Sequence, residues 1–402
     1  MTDGAESDTR EVRVPYVGIE RLHERGGPAQ LIDLRAPVEF DDDHVPGAVN
    51  VPLFENQTRS FVGLLYRQFS PDAAFQEGRA AVAERIDELV QDVARHIGWD
   101  VPGADLRARV LAMTGGGIDR LDRELAPFVT DDVPEDAVVF SCARGGLRSR
   151  SVVALMRSLG LENAVGLDGG YRAYRRRVMD TLAAWTPPSH VVSLRGLTGV
   201  GKTLVLRAIE ALRPGWTLDL EGIAGHRSSL LGMVGLKPVT QKAFESGLVA
   251  RLAECTRGGA PADLLVVEGE SRKVGDVVIP GPLWTAMRGA TNVEVVASTR
   301  RRVEVLAEDY LADPDARPLL REQLEAVSRR MDGAPDLAGM LDRDEIGPLV
   351  EALLEGYYDP LYRGSEAGKE YAVQVSSESA EGAAAEVVAW VEEHLLGVDS
   401  RR

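Results

Sequence analysis

The run "HVVSLRGLTGVGKTLVLRAIEALR", residues 190–213, narrows the fold more than any other part of this chain. A nearly unbroken apolar stretch of strand length leads at once into a glycine-rich loop, and then into a segment whose apolar residues recur at helical spacing. Apolar runs without polar alternation read as strands buried on both faces, and such strands belong to parallel sheets covered by helices. The loop fits G-x-x-x-x-G-K-[ST], and a strand before it with a helix after it gives that pattern its meaning. Backbone N–H groups of Gly196, Gly199 and Gly201 are expected to hold phosphate oxygens. Lys202 would neutralise them, and Thr203 would offer a hydroxyl to Mg²⁺. Only five lysines occur in a chain otherwise supplied with arginine, and four of them lie between 202 and 273. Coding bias accounts for most of that pattern, but Lys202 stands where a compact ammonium suits the site better than a planar guanidinium.

A second stretch of the same form comes earlier. "AVVFSC" (137–142) reads as a strand, "CARGGLRSRS" (142–151) as a loop, and a helix is expected from about Ser149. A thiol attacks only as thiolate and needs a local positive field. Arg144 and Arg148 supply charge, while Gly145 and Gly146 let consecutive N–H groups turn inward as an anion nest. The helix N-terminus adds partial positive charge. A strand-end cysteine taken alone is a small buried hydrophobe; the double glycine and the arginines point instead to a loop that stabilises thiolate, persulfide or perselenide at Cys142. Cys255 is the contrast. It shares a helical face with Phe244, Leu248 and Leu252 and reads as core.

The chain of 402 residues is long for one core, so two α/β domains are expected. The boundary is placed in the proline-rich "AAWTPPSH": residues 1–185, with a tail at 1–12 and a partly helical insertion at about 100–137, then residues 186–402 with a helical C-terminal portion. Strands are expected in "AQLIDLR", after "DDDHVPGAVN", in "NAVGLDGG", "WTLDL", "ADLLVVEG" and "NVEVVAS", with a helix at about 72–97. No apolar run approaches the ~20 residues that span a bilayer. Two cysteines make no disulfide framework, which points to the reduced cytoplasm. The net charge of −17 argues against indiscriminate nucleic-acid binding but leaves room for a local basic groove.

Asp219 and Glu221 are placed at the end of the strand in "LDLEG", and Glu268 and Glu270 at the end of "LLVVEGES". Carboxylates at strand C-termini near the loop suit metal or substrate. Helix capping, or pairing with Arg272, suits them equally. The arginine runs "YRAYRRR" (171–177) and "STRRR" (298–302) are candidate nucleic-acid contacts, Tyr171 and Tyr174 being able to stack on bases, or else solvated helix faces.

"LIDLRAPVEFDDDHVPGAVNVPL", the strand ending in Cys142 and "GLDGGYRAY" together resemble a rhodanese domain, through Asp33, Arg35, Glu39, His44, Pro46, Gly47, Ala48 and Asn50. The resemblance implies a loop cysteine that carries a transferable chalcogen, and a structural rather than catalytic His44. With the additional pieces "VPLFENQTRSFVGLLYRQ", "GLTGVGKT", "LDLEGIAGHRSS", "VVEGESRKVGDVVIP" and "LLEGYYDPLY", the chain resembles the bacterial tRNA 2-selenouridine synthases over nearly its whole length. It departs from them at Ala143, where an aromatic is usual, at His226-Arg227-Ser228 in place of His-Arg-Gly, and in a longer segment at 100–137.

The fold so implied is a rhodanese-like domain followed by a P-loop NTPase-like parallel-sheet domain. The activity implied acts on the wobble 2-thiouridine of tRNA in two steps. The sulfur is geranylated from geranyl diphosphate, and selenium from selenophosphate then displaces the geranylated sulfur, with Cys142 as an S-selanylcysteine intermediate. No cofactor is permanently bound, Mg²⁺ accompanies the diphosphate, and apolar residues beside the P-loop would receive the ten-carbon chain. Arg227, Arg272 and Lys273 stand in family-like motifs and are candidate contacts to tRNA or diphosphate. A rhodanese-type sulfurtransferase coupled to nucleotide hydrolysis is the alternative.

Overall fold

A computed structural model describes residues 13–24, 30–227, 229, 231–257, 263–311, 313–331, 333, 335–361 and 368–397. The chain forms two compact units, residues 1–178 and 179–402, divided inside helix α8 (Gly170–Ala184) ahead of the proline-rich segment.

In the first unit six strands form one parallel sheet: β1 (Val14–Val17), β2 (Gln30–Asp33), β3 (Ala48–Asn50), β4 (Pro127–Val129), β5 (Val138–Ser141) and β6 (Ala164–Leu167). Their order across the sheet is β3-β2-β5-β6-β1-β4, so β5, the strand that leads to Cys142, is central. Every residue of β1, β5 and β6 is buried, as unbroken apolar runs require when helices cover both faces. The covering helices include α1 (Ile19–Glu24), α2 (Pro37–Asp42), α3 (Asn56–Gln68), α4 (Pro71–Ile97), α5 (Leu106–Met113), α6 (Ile118–Glu124) and α7 (Leu147–Ser158). Ser70 accepts from the Ala73 N–H at the start of α4 and Gly98 ends it in the left-handed region, a capping pair that sets the length of this helix.

The "DLR" and "VPGAVN" pieces act as struts. Arg35 binds Asp33 through Nε and Nη2 at 2.7–3.1 Å and also donates to the Asp43 carbonyl. Asn50 donates to the carbonyls of Asp33 and Arg35, tying β3 to β2. His44 stacks on Phe40 and hydrogen-bonds the Phe40 carbonyl at 3.0 Å, a structural position. The segment 100–137 is not all insertion. It holds α5 and α6, but its end is β4, which pairs in parallel with β1 and completes the sheet.

The second unit has a five-stranded parallel sheet, β13-β12-β7-β9-β8, from β7 (His190–Arg195), β8 (Thr217–Leu218), β9 (Leu264–Glu268), β12 (Thr291–Val296) and β13 (Val373–Ser376). A small antiparallel hairpin, β10 (Lys273–Val274) with β11 (Val277–Val278), stands apart from it. Helices α9 (Lys202–Leu212), α10 (Leu220–Ala224), α11 (Gln241–Arg257), α12 (Gly281–Arg288) and α13 (Thr299–Leu311) follow the strands. Then come α14 (Arg317–Ser328), α15 (Leu337–Asp342), α16 (Ile346–Leu353) and α17 (Ala380–His394), the expected helical portion. Leu231, Tyr310, Leu324, Leu341, Leu349 and Tyr358 give these helices a core of their own. Among the described residues no helix is long and apolar enough to cross a membrane. Tyr362 and Ser228, both in motifs singled out above, lie outside the described residues, as does the tail at 1–12.

Candidate functional site

Cys142 directly follows the carboxyl end of β5, where parallel sheets place ligands. The loop 143–146 turns at Gly145, φ +64, and α7 begins at Leu147, two residues earlier than expected, with Gly146 as its N-cap. A Cβ on Gly145 would lie 2.9 Å from the Leu167 carbonyl oxygen and 3.0 Å from the Gly169 nitrogen, so this turn needs glycine for both conformation and space. The "DGGY" element holds the loop from its other side. Tyr171 N–H donates to the Cys142 carbonyl at 2.9 Å and Arg172 N–H to that of Ala143 at 3.1 Å.

The thiol is 2% exposed. Burial pushes its pKa up, yet the Arg148 charge, the Ser149 hydroxyl and the N–H groups of Arg144 and Ser149 outweigh that and hold it below the ordinary thiol value. Cys142 Sγ is 3.2 Å from Ser149 Oγ, which is 2.8 Å from Tyr16 Oη. A thiolate only accepts hydrogen bonds. Ser149 Oγ also lies 3.2 Å from the Gly146 carbonyl, which competes for its one proton; when that proton turns to the ionised sulfur, Tyr16 donates to Ser149. Burial raises the Tyr16 pKa, which keeps that phenol a donor. Tyr16 on β1 lies opposite Gly166 on β6, where a Cβ would come within 2.4 Å of the ring. Neither Tyr16 nor the role of Ser149 was anticipated. Ser149 stands inside the quoted loop, but Tyr16 is 126 positions from Cys142 and only the strand order brings it near.

Cys255 is also buried, but burial raises its pKa, and it packs with Phe244, Leu248 and Leu252 as expected of core.

The phosphate loop follows β7, the central strand of its sheet. Gly196, Gly199 and Gly201 all have positive φ, and a Cβ on Gly196 would lie 2.2 Å from the Val295 carbonyl oxygen. Lys202 Nζ donates to the Gly196 and Leu197 carbonyls at 3.0 and 3.4 Å, lying back across the loop. Thr203 Oγ1 donates to Glu268 Oε1 at 2.8 Å and approaches Glu221 Oε2 at 3.3 Å. Glu268 is 1% exposed, and burial, then the charges of Glu221, Asp219 and Glu270, hold its carboxyl well above the ordinary carboxylate range.

The four candidate carboxylates divide. Glu268 ends β9, and Glu270, two residues on, lines the cleft over the loop together with Glu221. Glu221 sits inside α10 rather than at a strand end, because the strand stops at Leu218 where Asp219 caps the helix by accepting from Gly222 N–H. Asp219 also pairs with Arg207 at 3.2 Å, so its carboxylate serves the cap and that pair. Among the described residues no group of three or more His, Cys, Asp and Glu is arranged to hold a metal ion. Mg²⁺ commonly takes only one or two protein ligands beside phosphate oxygens and water. The Thr203 hydroxyl against a buried carboxylate fits that habit.

The loop cleft measures about 200 Å³ and includes Arg227, whose guanidinium donates to the carbonyls of Val234 and Asp309 and lies 5.5 Å from the Tyr310 ring centre. Its apolar side is Leu204, Leu236, Val305, Leu306 and Tyr310. Arg272 and Lys273 are exposed on the hairpin and do not line this cleft. The ring of His226 packs under the same hairpin, 2.6 Å from where a Cβ on Gly275 would stand.

In both arginine runs some side chains are built into the fold. Arg302 is 7% exposed, donates to the Thr198 carbonyl in the phosphate loop at 2.9 Å and pairs with Asp359 through both Nη atoms. It braces the loop. Tyr174 is buried, while Tyr171 donates to Asp43 at 2.8 Å and lies beneath Arg35, so the two rings are built into the fold. Arg172 and Arg176 remain exposed on α8, and Arg300 on α13.

Comparison with known proteins matches the same two regions. Residues 189–329 match the tRNA 2-selenouridine synthase AAA domain, and residues 19–88 the rhodanese-like domain. The chain is 30% identical over 360 residues to a tRNA 2-selenouridine synthase of Pseudomonas syringae pv. syringae (strain B728a), covering 83% of this chain and 87% of that one. It is 30% identical over 370 residues to one of Cupriavidus pinatubonensis (strain JMP 134 / LMG 1197), covering 85% and 89%. Another, from Nitrosomonas europaea (strain ATCC 19718 / CIP 103999 / KCTC 2705 / NBRC 14298), is 26% identical over 398 residues, covering 88% and 94%.

Proposed function

Because the chain belongs to the tRNA 2-selenouridine synthase family, we propose that its two units divide one reaction on tRNA between a prenyl-transfer site and a selenium-transfer site. The observation that carries this reading is the pairing of a thiol held below its ordinary pKa with a separate phosphate loop in the second unit. The substrates are the wobble 2-thiouridine of tRNA, geranyl diphosphate and selenophosphate, and the reaction takes place in the cytoplasm.

In the first step the thiocarbonyl sulfur bonds to the allylic carbon of geranyl diphosphate as the C–O bond breaks, and the electron pair leaves on diphosphate. N–H groups of Gly199 and Gly201, with Lys202, neutralise the charge that develops there. Mg²⁺ would be held through Thr203 and Glu268 and would supply further positive charge to the diphosphate. Alkylation makes C2 more electrophilic and turns sulfur into a better leaving group.

In the second step selenium carried on Cys142 bonds to C2. The C2–S bond breaks, and geranylthiolate departs with the electron pair and takes a proton. Two molecules of a small thiol then cleave the selenium–sulfur bond and leave joined as their disulfide, which frees the 2-selenouridine and returns Cys142. That disulfide is the two-electron oxidant that lets the next selenide-level selenium, released from selenophosphate as the P–Se bond breaks to water, bond to Cys142. The cycle exchanges no net electrons. Arg148, Ser149 and the loop N–H groups stabilise the anion before and after transfer, and the charges of Arg144 and Arg148 suit tRNA phosphates.

Step-resolved mass spectrometry of tRNA nucleosides tests the division. Cys142→Ser should form S-geranyl-2-thiouridine and no 2-selenouridine, and Cys255→Ser should complete both steps. Loss of geranylation in a folded Cys142→Ser protein would overturn it. The rival nucleotide-dependent sulfurtransferase requires ATP hydrolysis in step with product.

A further inference from the structure

A cleft of about 980 Å³ opens beside Cys142 within the first unit, against about 200 Å³ at the phosphate loop. It is of the size that buries small organic ligands. Cys142, Ala143 and Gly146 line it on the side of the chalcogen loop. Across from them stand apolar side chains of four helices: Val62 and Tyr66 of α3, Phe75 and Val82 of α4, Met113 of α5 and Leu121 of α6. Arg144 and Arg148 also line it, the charge of Arg148 reaching both Cys142 and Glu39.

Helix α3 is the unusual element. It buries none of its thirteen residues, yet Phe61, Leu64 and Tyr66 are apolar and 36–62% exposed. A helix in a folded unit ordinarily sets its apolar face into the core. Part of the apolar surface of α3 is instead wall to the cleft.

We propose that this cleft receives the prenyl chain of S-alkylated 2-thiouridine in tRNA, and so sets C2 against the selenium on Cys142. The inference rests on the proposed S-geranyl intermediate. When selenium bonds to C2, the sulfur that leaves is attached to that same carbon. The chain on that sulfur must therefore lie within a few bonds of Cys142, wherever the rest of the tRNA sits. An apolar concavity lined by the thiol's own loop meets this requirement, and the arginines beside it suit the phosphates of the nucleotide that carries the chain. The chain thus serves as a handle as well as a leaving group. Each methylene moved from water into such a cleft is worth about fourfold in affinity.

The test uses the full-length enzyme, selenophosphate and anticodon stem–loops carrying synthetic 2-thiouridine alkylated with one-, five-, ten- or fifteen-carbon chains. The wild-type enzyme should select the ten-carbon chain over S-methyl by at least about a hundredfold in kcat/KM. Gly63→Phe adds volume on the wall of the cleft where a Cβ would meet nothing within 4 Å, and it should move the preference to the five-carbon chain. Met113→Ala enlarges the cleft and should move it toward fifteen. A variant that fails to fold loses all four substrates together, whereas an occupied cleft changes the ratios.

Equal selenation of S-methyl and S-geranyl substrates by the wild-type enzyme would overturn the assignment, even if the enzyme makes S-geranyl-2-thiouridine from geranyl diphosphate. Selenation of unalkylated 2-thiouridine as fast as the S-geranyl form would overturn the intermediate and the cleft together. Chain-length selection without any geranylation from geranyl diphosphate would uphold the cleft and overturn only the first step.

Discussion

Replacing Ser149 with alanine should make Cys142 a slower nucleophile, by an amount that follows from the contacts around sulfur. Ser149 is fully buried, and its Oγ lies 3.2 Å from Cys142 Sγ and 3.2 Å from the Gly146 carbonyl oxygen. A hydrogen bond to a charged group is worth about 1.5–3 kcal/mol, and 1.36 kcal/mol is a factor of ten. The thiolate population at fixed pH should therefore fall about ten- to a hundredfold, less whatever Arg148 and the loop N–H groups recover. Tyr16 acts one step removed, through Ser149 at 2.8 Å, so Tyr16→Phe should cost about two- to tenfold. Because the contacts are in series, the double variant should alkylate no slower than Ser149→Ala alone. It should also be the more stable of the two, since Ser149→Ala leaves a buried phenol without its partner and Phe removes that phenol. The assay is the pH profile of iodoacetamide alkylation in a Cys255→Ser background. If Tyr16→Phe slows alkylation equally in the presence and absence of the serine hydroxyl, the relay is wrong.

Lys202→Ala should slow geranylation about a hundred- to a thousandfold, while selenation of tRNA supplied already geranylated survives, and Lys202→Arg should rescue poorly because a planar guanidinium cannot lie back across the loop; single-turnover geranylation measures both. Glu268→Gln should raise the melting temperature, and by more as pH rises. The folded carboxyl is held above its ordinary value of 4.5, so its contribution to stability is full below that value and is lost as pH climbs toward the raised one, whereas the amide loses nothing. A constant gap between the two proteins from pH 5 to 8 would contradict the buried, proton-holding carboxyl. Arg302→Met should cost about 3–5 kcal/mol by stranding Asp359, and should weaken geranyl diphosphate binding through the unbraced Thr198 carbonyl, which calorimetry in each case reads directly.

What could be read from the chain alone was what local pattern carries. Buried parallel strands are near-continuous apolar runs, so β5, β7 and β9 were legible, and the glycines of both loops announced their own turns. Residues whose roles depend on strand order were not. Tyr16 comes to Ser149 because β1 is inserted beside β6, an adjacency that no spacing announces. Strand β4 was folded into a supposed insertion because three residues, none of them buried, do not register as a strand until β1 pairs with them. Arg302 looked like one more base in an exposed run. The run is a helix, and one turn of a helix sends neighbouring side chains in different directions: Arg300 to solvent, Arg302 inward to Thr198 and Asp359. Helix α3 hid for the opposite reason: none of its residues is buried, so it offers no core position, and of its apolar side chains Val62 and Tyr66 line the cleft while Phe61 and Leu64 are exposed outside it.

The two loops share one construction and differ in what surrounds it. Each follows a central parallel strand, turns on left-handed glycines and opens a helix, which is enough to offer N–H groups to an anion. Around Cys142 arginines, hydroxyls and apolar walls predominate; of the carboxylates that line the cleft, Glu39 is tied to Arg59 and Asp122 to Arg150, and Asp119 stands on the same short helix as Asp122. A diffuse, polarizable anion on sulfur or selenium gains there from desolvation and from spread-out positive charge. Around Thr203 the remaining groups are carboxylates, one of them buried at the cost of holding its proton, which is an environment that repels a thiolate and suits a cation bound to diphosphate. On the proposed division of the reaction, selenium transfer and prenyl transfer need opposite settings of the same loop. One site could not serve both, since the carboxylates that suit the diphosphate would raise the pKa of the thiol. Two separate sheets, each with its own loop, meet both demands.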